Sequence, residues 1–324
     1  MEVKINNKFF RRNNNKIKDN NFIFTNNPLI FMICFVFLIY PIHLSKQKIY
    51  NLRLLIRESE VIITIIGKNN QQLLSQDFYN LYTPSEILIN GNRQNQISIY
   101  ALNLQNDENE ITLKWNVQFT TCYSMFDGQS NIIKIDLSKL DSSRVTTMCY
   151  MFYQCNSLTS INFNNFDTSL VKDFSYVFYG CSSLLSLDIS NFNTPSINNM
   201  YLTFYDCNSL KSLDLSNFDT SHVTDMYGLF YNCYSLQSVN LNNFNTSLVT
   251  NMGAMFLYCY SLRSIDLSSF NTLNVKDMKG MFCYCTCLQS LDLSSFNTSL
   301  VTNMYSMFLD CNSITSINLS SFNT

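Results

Sequence analysis

The chain is short of the residues that most often do chemistry. Its 324 residues include two histidines, one tryptophan, four prolines and seven glycines. So few glycines leave no loop able to cradle a phosphate. His43 and His222 are far apart, and His222 stands where equivalent repeats carry Leu170, Leu248 and Leu300. No catalytic, cofactor-binding or metal-ligating set is therefore expected, and the chain does not read as an enzyme. Charge is also scarce: 14% of residues are charged, against about 25% in ordinary soluble domains. A net charge of −2 argues against a nucleic-acid surface, which needs clustered Lys and Arg. Asn, Ser and Thr supply the missing polarity.

What is abundant is repetition. Phe126, Phe152, Phe178, Phe204, Phe230, Phe256, Phe282 and Phe308 step by 26 residues, as do Cys155, Cys181, Cys207, Cys233, Cys259, Cys285 and Cys311. A fixed period in this range marks a repeat architecture. Each unit reads in two halves. In Leu210 to Phe218 the alternation of Leu213 and Leu215 with Asp214 and Ser216 predicts a short strand. Thr220 or Ser221 then offers an oxygen to cap a helix. Val223, Met226, Leu229, Phe230 and Cys233 would line one face of that helix, and Asp173, Asp225 and Asp277 would sit in first turns, where carboxylates suit the dipole. The expectation is an α/β solenoid, a stack of eight 26-residue strand-plus-helix coils over 118–324. Residues 45–117 are expected to form a small β-rich N-terminal cap, with strands at Val61–Ile66 before Gly67, at Glu86–Ile89 before Asn90-Gly91, near Ile97–Leu104, and at Ile111, Leu113 and Trp115.

Before the cap, residues 1–27 are polar, basic and Asn-rich. Residues 28–44 are mostly apolar, with no charge between Asp19 and Lys46. A basic flank before an apolar run predicts a signal peptide, or a signal anchor holding the chain in a membrane if uncleaved.

LKSLDLSNF matches the opening of the leucine-rich-repeat pattern, and VTDMYGLFYNC with the recurring SxFNTSxVTxM resembles the BspA-like leucine-rich-repeat surface proteins, whose repeats are also seen in mycoplasma surface lipoproteins. The resemblance covers about 118–324. Ser59 to Asn92 is similar to the segment preceding such repeats in protist members. Membership would imply a secreted or surface-exposed binding protein, with adhesion often proposed. One departure is that Leu140, Phe166, Phe192, Phe218, Phe244, Phe270, Phe296 and Phe322 hold the family's usual Asn position, so an aromatic spine would replace the Asn ladder.

The candidate binding face is the outward strand position: Asp136, Asn162, Asp188, Asp214, Asn240, Asp266, Asp292 and Asn318. Unit charges about 5 Å apart repel by only about 0.8 kcal/mol in water, so the row needs no partner. It could bind a protein or glycan ligand, or be plainly solvated. Calcium wants six to eight oxygen ligands, more than one Asp per rung supplies. The Cys ladder reads either as a disulfide series or as free core rungs behaving as small hydrophobes. Cys283, Cys285 and Cys287 look like a metal cluster, but they arise from two substitutions in one repeat and lack a completing His or Cys pair. Asn245, Asn297 and Asn318 begin N-glycosylation patterns. Two functions follow: a surface or secreted interaction protein using the polar strand face, or a self-assembling surface-coat protein associating through an uncapped C-terminal end.

Overall fold

The computed structural model describes residues 58–322. The basic tail and the apolar segment 28–44 lie outside the described residues. Among the described residues, no helix is long and apolar enough to cross a membrane, so the membrane-spanning expectation has no support in the structure.

Alternating burial builds the first part. In β1 (Ser59–Ile66) Val61, Ile63 and Ile65 point inward, and in β6 (Glu108–Trp115) Ile111, Leu113 and Trp115 do the same. Between them the chain forms β2 (Asn69–Gln72), α1 (Gln76–Leu81), β3 (Glu86–Ile89), β4 (Asn92–Arg93) and β5 (Tyr100–Leu104). β3 and β4 are joined through Asn90 and Gly91, with φ of 49° and 78°. Two consecutive left-handed residues suit a tight hairpin, and Asn-Gly is the pair best able to supply them. Ser75 caps α1 by accepting the Phe78 N–H at 3.2 Å. The Trp115 indole donates to the Tyr82 carbonyl at 2.7 Å, which anchors a cluster of Phe78, Tyr82, Trp115 and Phe119 rings.

β7 (Ile132–Lys139) couples this part to the repeats. It runs antiparallel to β1 and parallel to β8 (Ser160–Asn162), which gives a six-stranded sheet in the order β4-β3-β6-β1-β7-β8. Further on there are only short parallel pairs: β9 (Ser212–Asp214) with β10 (Ser238–Asn240), and β11 (Ser290–Asp292) with β12 (Ser316–Asn318). β2 and β5 form a separate antiparallel pair.

The strand-plus-helix solenoid is overturned. The one α-helix among the described residues is the six-residue α1, which lies before the repeats. The second half of each repeat is a chain of turns. In the repeat of Phe152, Met151, Tyr153, Cys155 and Leu158 donate N–H bonds to the carbonyls of Met148, Tyr150, Phe152 and Cys155, three residues back. The alternate amides of Met148, Tyr150, Phe152 and Gln154 donate instead to Asp173, Ser175, Val177 and Tyr179 in the next repeat. A helix needs each amide for its own carbonyl four residues back. Two left-handed residues per repeat break that pattern. One lies two residues before the ladder Phe (Tyr150, Tyr176, Leu202, Ala254) and one two residues after it (Gln154, Asp206, Asn232, Tyr258). The leucine-rich-repeat assignment fails with the helix. Thr220 caps nothing, and Asp225 sits at no helix dipole.

Stacking does the burying. Consecutive ladder rings from Phe126 to Phe308 lie parallel with centroids 5.4–5.9 Å apart. Phe244, Phe270 and Phe296 form a second spine at 6.3 Å. A buried hydroxyl ladder runs beside it: the Thr220 hydroxyl donates to the Asn245 carbonyl at 3.0 Å and accepts the Asn245 N–H at 2.9 Å. Thr168, Thr246 and Thr272 make the same two bonds to Asn193, Asn271 and Asn297.

A third column joins Thr147, Asp173, Asn199, Asp225, Asn251, Asp277 and Asn303 by parallel bridges. Charged and neutral residues alternate along it from Asp173 onward. The side chains accept the backbone N–H two residues on, as Asp225 does from Tyr227 at 2.8 Å, and the Asn303 amide donates back to Asp277 at 3.0 Å.

Ala254 has φ of 54° at a position held by Gly228 and Gly280 in neighbouring repeats. An L-residue there is strained by roughly 1 kcal/mol. Ala254→Gly is expected to raise the denaturation midpoint, with a gain of about 0.5–1 kcal/mol in a chemical unfolding curve. A loss would show that the Ala254 methyl packs better than its backbone suffers.

Candidate functional site

The strand row is in register where strands form: Asp136 pairs with Asn162, Asp214 with Asn240 and Asp292 with Asn318. Asp188 and Asp266 lie in repeats without an assigned strand. Asp188, Asp214, Asp266, Asp292 and Asn318 are exposed, while Asp136, Asn162 and Asn240 are half-buried. Every one of the eight accepts, through Oδ1, the backbone N–H two residues on, from Ser138 to Ser320, at 2.8–3.2 Å. The row is thus a series of Asx turns that closes each strand, a constraint the strand alternation alone did not reveal.

These bonds hold the carboxyls below the ordinary Asp range. For Asp188 and Asp266 the Ser190 and Ser268 side chains contribute most, followed by their backbone N–H groups. For Asp214 and Asp292 the backbone N–H of Ser216 and Ser294 leads. At Asp136 burial pushes the pKa up, but the bonds from Ser138 and Asn162 outweigh it. The side-chain amide of Asn162 reaches the Asp136 carboxylate at 3.1 Å.

A second surface feature escaped the strand-based reading. Tyrosines pack ring against ring across successive turn segments: Tyr150, Tyr176, Tyr201 and Tyr227 at 4.5–5.3 Å between centroids, with the Tyr176–Tyr201 pair tilted, and Tyr153, Tyr179 and Tyr205 stacked at 4.3–4.7 Å. They are half-buried. Burial, and then the neighbouring phenol of Tyr150, push the Tyr176 hydroxyl up to about 12. The signal was present in the sequence as Tyr recurring two or three residues before, and one residue after, the ladder Phe.

The Cys ladder consists of free thiols. Each donates to the carbonyl of the ladder Phe one repeat earlier, as Cys233 does to Phe204 at 3.1 Å and Cys285 to Phe256 at 3.2 Å. Burial raises every ladder thiol, Cys311 up to about 11. Cys283 is buried and Cys287 exposed, so the CxCxC run does not converge. Among the described residues no group of His, Cys, Asp or Glu is placed to hold a metal ion. His222 is exposed, and its Nδ1 lies 3.2 Å from the Ser221 hydroxyl. Brief alkylation of the native protein followed by peptide mapping is expected to label Cys287 and spare Cys155 to Cys285 in the ladder until denaturant is added. Native labelling of Cys233 would contradict its burial.

What these features define is a repeat protein whose successive units present chemically similar side chains in columns on its surface. The chain belongs to the family described as "Mycoplasma protein of unknown function, DUF285", whose model matches residues 99–212, 159–260 and 198–322. No curated protein and no solved structure matches it.

Proposed function

We propose that this chain is a secreted or cell-surface interaction protein that binds a protein or glycan ligand along its polar strand row. The observation that carries the reading is the fixed geometry of that row. In Asp188, Asp214, Asp266 and Asp292 one carboxylate oxygen is held by the following Ser, and the side chain remains exposed. Acceptors ordered before binding lose little further entropy when a ligand arrives. Repetition adds weak contacts together into avidity. The likeness of the turn segment VTDMYGLFYNC to BspA-like surface proteins supports the extracellular setting, and adhesion is the role that likeness brings.

The test is a glycan-array and cell-binding screen of the full chain, followed by the quadruple variant Asp188→Asn, Asp214→Asn, Asp266→Asn and Asp292→Asn. Asn keeps the Asx turns, so the fold is retained while charge is removed. Binding should fall at least tenfold. Because the four carboxyls are held below about 3.9, the ordinary Asp value, they stay ionised as pH falls to that value. Binding through them should therefore persist at about pH 4 and fail only at lower pH. Unchanged binding by the quadruple variant would remove the strand row from the reading.

A further inference from the structure

The strands before the repeats frame a cavity of about 240 Å³. One wall is the β3–β4 hairpin and the residue after it, which bring Asn90 and Gln94. The other is the end of β5 and the residue after it, which bring Leu102, Leu104 and Gln105. Asn109 of β6 joins them. Six of the nine lining residues are amides and the other three are aliphatic, with no charged side chain and no ring among them. Arg93 directly precedes Gln94, but its Nε turns to Glu86 at 3.1 Å.

The amides are ordered by the protein itself. The Asn90 side-chain amide donates to Asn109 Oδ1 at 3.0 Å, and Asn90 Oδ1 accepts the Glu110 N–H at 2.9 Å. Asn109 is buried and donates through Nδ2 to the Asn106 carbonyl at 2.8 Å. These two side chains are therefore spent on holding the walls together. Gln94 and Gln105, on opposite walls, are not. Each donates a side-chain N–H to the carbonyl two residues back, Asn92 at 2.8 Å and Asn103 at 2.9 Å. Neither Oε1 accepts a hydrogen bond from a described residue. Each glutamine thus keeps one acceptor and a second N–H on a planar group already tied in place. Groups fixed in this way lose little further entropy on binding.

The lining selects by chemistry. A charged ligand would be desolvated there without a counter-charge. A nucleobase would find no ring to stack on. An amide that keeps one donor and one acceptor matches two neighbouring hydroxyls, one accepting and one donating. Leu102, which is exposed, and Leu104 offer apolar surface for the C–H face of a ring. The volume is below the roughly 300–1,000 Å³ of sites for drug-sized ligands, which suits one sugar ring rather than several. We propose that this cavity binds one neutral sugar residue, with Gln94 and Gln105 hydrogen-bonding its hydroxyls and Leu102 and Leu104 packing on its ring. A free monosaccharide and the terminal unit of a glycan both carry the required group. The site lies before the repeats, so it does not depend on the strand row.

The experiment is a titration of the full chain, isotopically labelled in its glutamine side chains. The probes are glucose, galactose, mannose and N-acetylglucosamine, each as free sugar and as methyl glycoside. Cyclohexanol, glucuronate, glucosamine and N-acetyl-alanine methylamide serve as comparisons. Saturable shifts of the Gln94 and Gln105 amides are expected with at least one of the four sugars. Cyclohexanol, a ring without neighbouring hydroxyls, should give none. The two charged sugars and the peptide-like alanine derivative should bind at least tenfold more weakly than the best neutral sugar. Preference for the methyl glycoside assigns the end of a glycan, and preference for the free sugar a soluble monosaccharide. Gln105→Leu, read at Gln94, and Gln94→Leu, read at Gln105, should each weaken binding at least tenfold. Gln105 is exposed, so its replacement leaves the core intact. Gln237→Leu, at an exposed position in the repeats, should change nothing. No saturable shift, equal binding of any comparison compound, or unchanged affinity in both Gln variants overturns the proposal. Loss of the shifts in the quadruple Asp variant of the strand row would place the sugar on that row and overturn it as well.

Discussion

Phe230→Ala is expected to lower stability by about 3–5 kcal/mol, the range for removing a buried phenylalanine. Phe230 is fully buried between Phe204 at 5.6 Å and Phe256 at 5.5 Å, both nearly parallel to it. Its loss leaves a void that the rings above and below cannot close, because their own turns are fixed by hydrogen bonds between repeats. Phe230 donates its N–H to Met255 at 2.9 Å and receives that of Cys233 at 3.2 Å. Phe308→Ala should cost roughly half as much, since it is half-buried and only Phe282, at 5.9 Å, stacks on it. Urea unfolding of both variants compares them directly. A Phe230→Ala cost below about 1 kcal/mol would mean that the ladder repacks, contrary to the close packing described.

Thr220→Val is the second large effect, with an expected cost of about 1–3 kcal/mol. The two side chains are nearly isosteric, so the change isolates the hydroxyl. That hydroxyl answers both the carbonyl and the N–H of Asn245. Removing it orphans two polar groups in a stretch where Thr220 and Thr246 are buried. Thr220→Ser keeps both bonds and loses one methyl, so it should cost less than about 1 kcal/mol. The comparison of the two variants in one denaturation series carries the test. Equal losses would assign the effect to packing, and the hydroxyl ladder would lose its place in the account.

Much of this architecture is legible in the residues. The 26-residue step of Phe and Cys shows at once that neighbouring repeats touch through identical positions. The alternation around Leu213 and Leu215 locates the strand and the side on which Asp214 emerges. A second column of apolar rings is also readable, since Phe166 to Phe296 are all buried, although the leucine-rich-repeat Asn position it was set against does not apply. What could not be read was the turn segment. Buried Met226, Leu229, Phe230 and Cys233 are spaced by three, one and three residues, which suits a helical face and successive three-residue turns equally. The deciding fact is where the amides go, and hydrogen bonds to the next repeat leave no mark in a single unit. The left-handed positions left only a faint trace, because Tyr, Leu and Ala occupy them as well as Gly and Asn. Thr220 was misread for the same reason. A hydroxyl that could cap a helix one or two residues on instead answers a peptide 25 residues away.

The alternating column Asp173, Asn199, Asp225, Asn251, Asp277 and Asn303 gives the array a parity. A neutral amide stands between each pair of carboxylates, and burial already raises the pKa of Asp225. Excising a single repeat between Asp225 and Asp277 would set two partly buried carboxylates on adjacent rungs, a repulsion of about 3 kcal/mol at 5 Å and an effective dielectric of about 20. Excising two restores the match of Asp against Asn. In this column a repeat that carries Asn is therefore the costly one to lose, whereas a repeat that carries Asp can go without setting like charges on adjacent rungs.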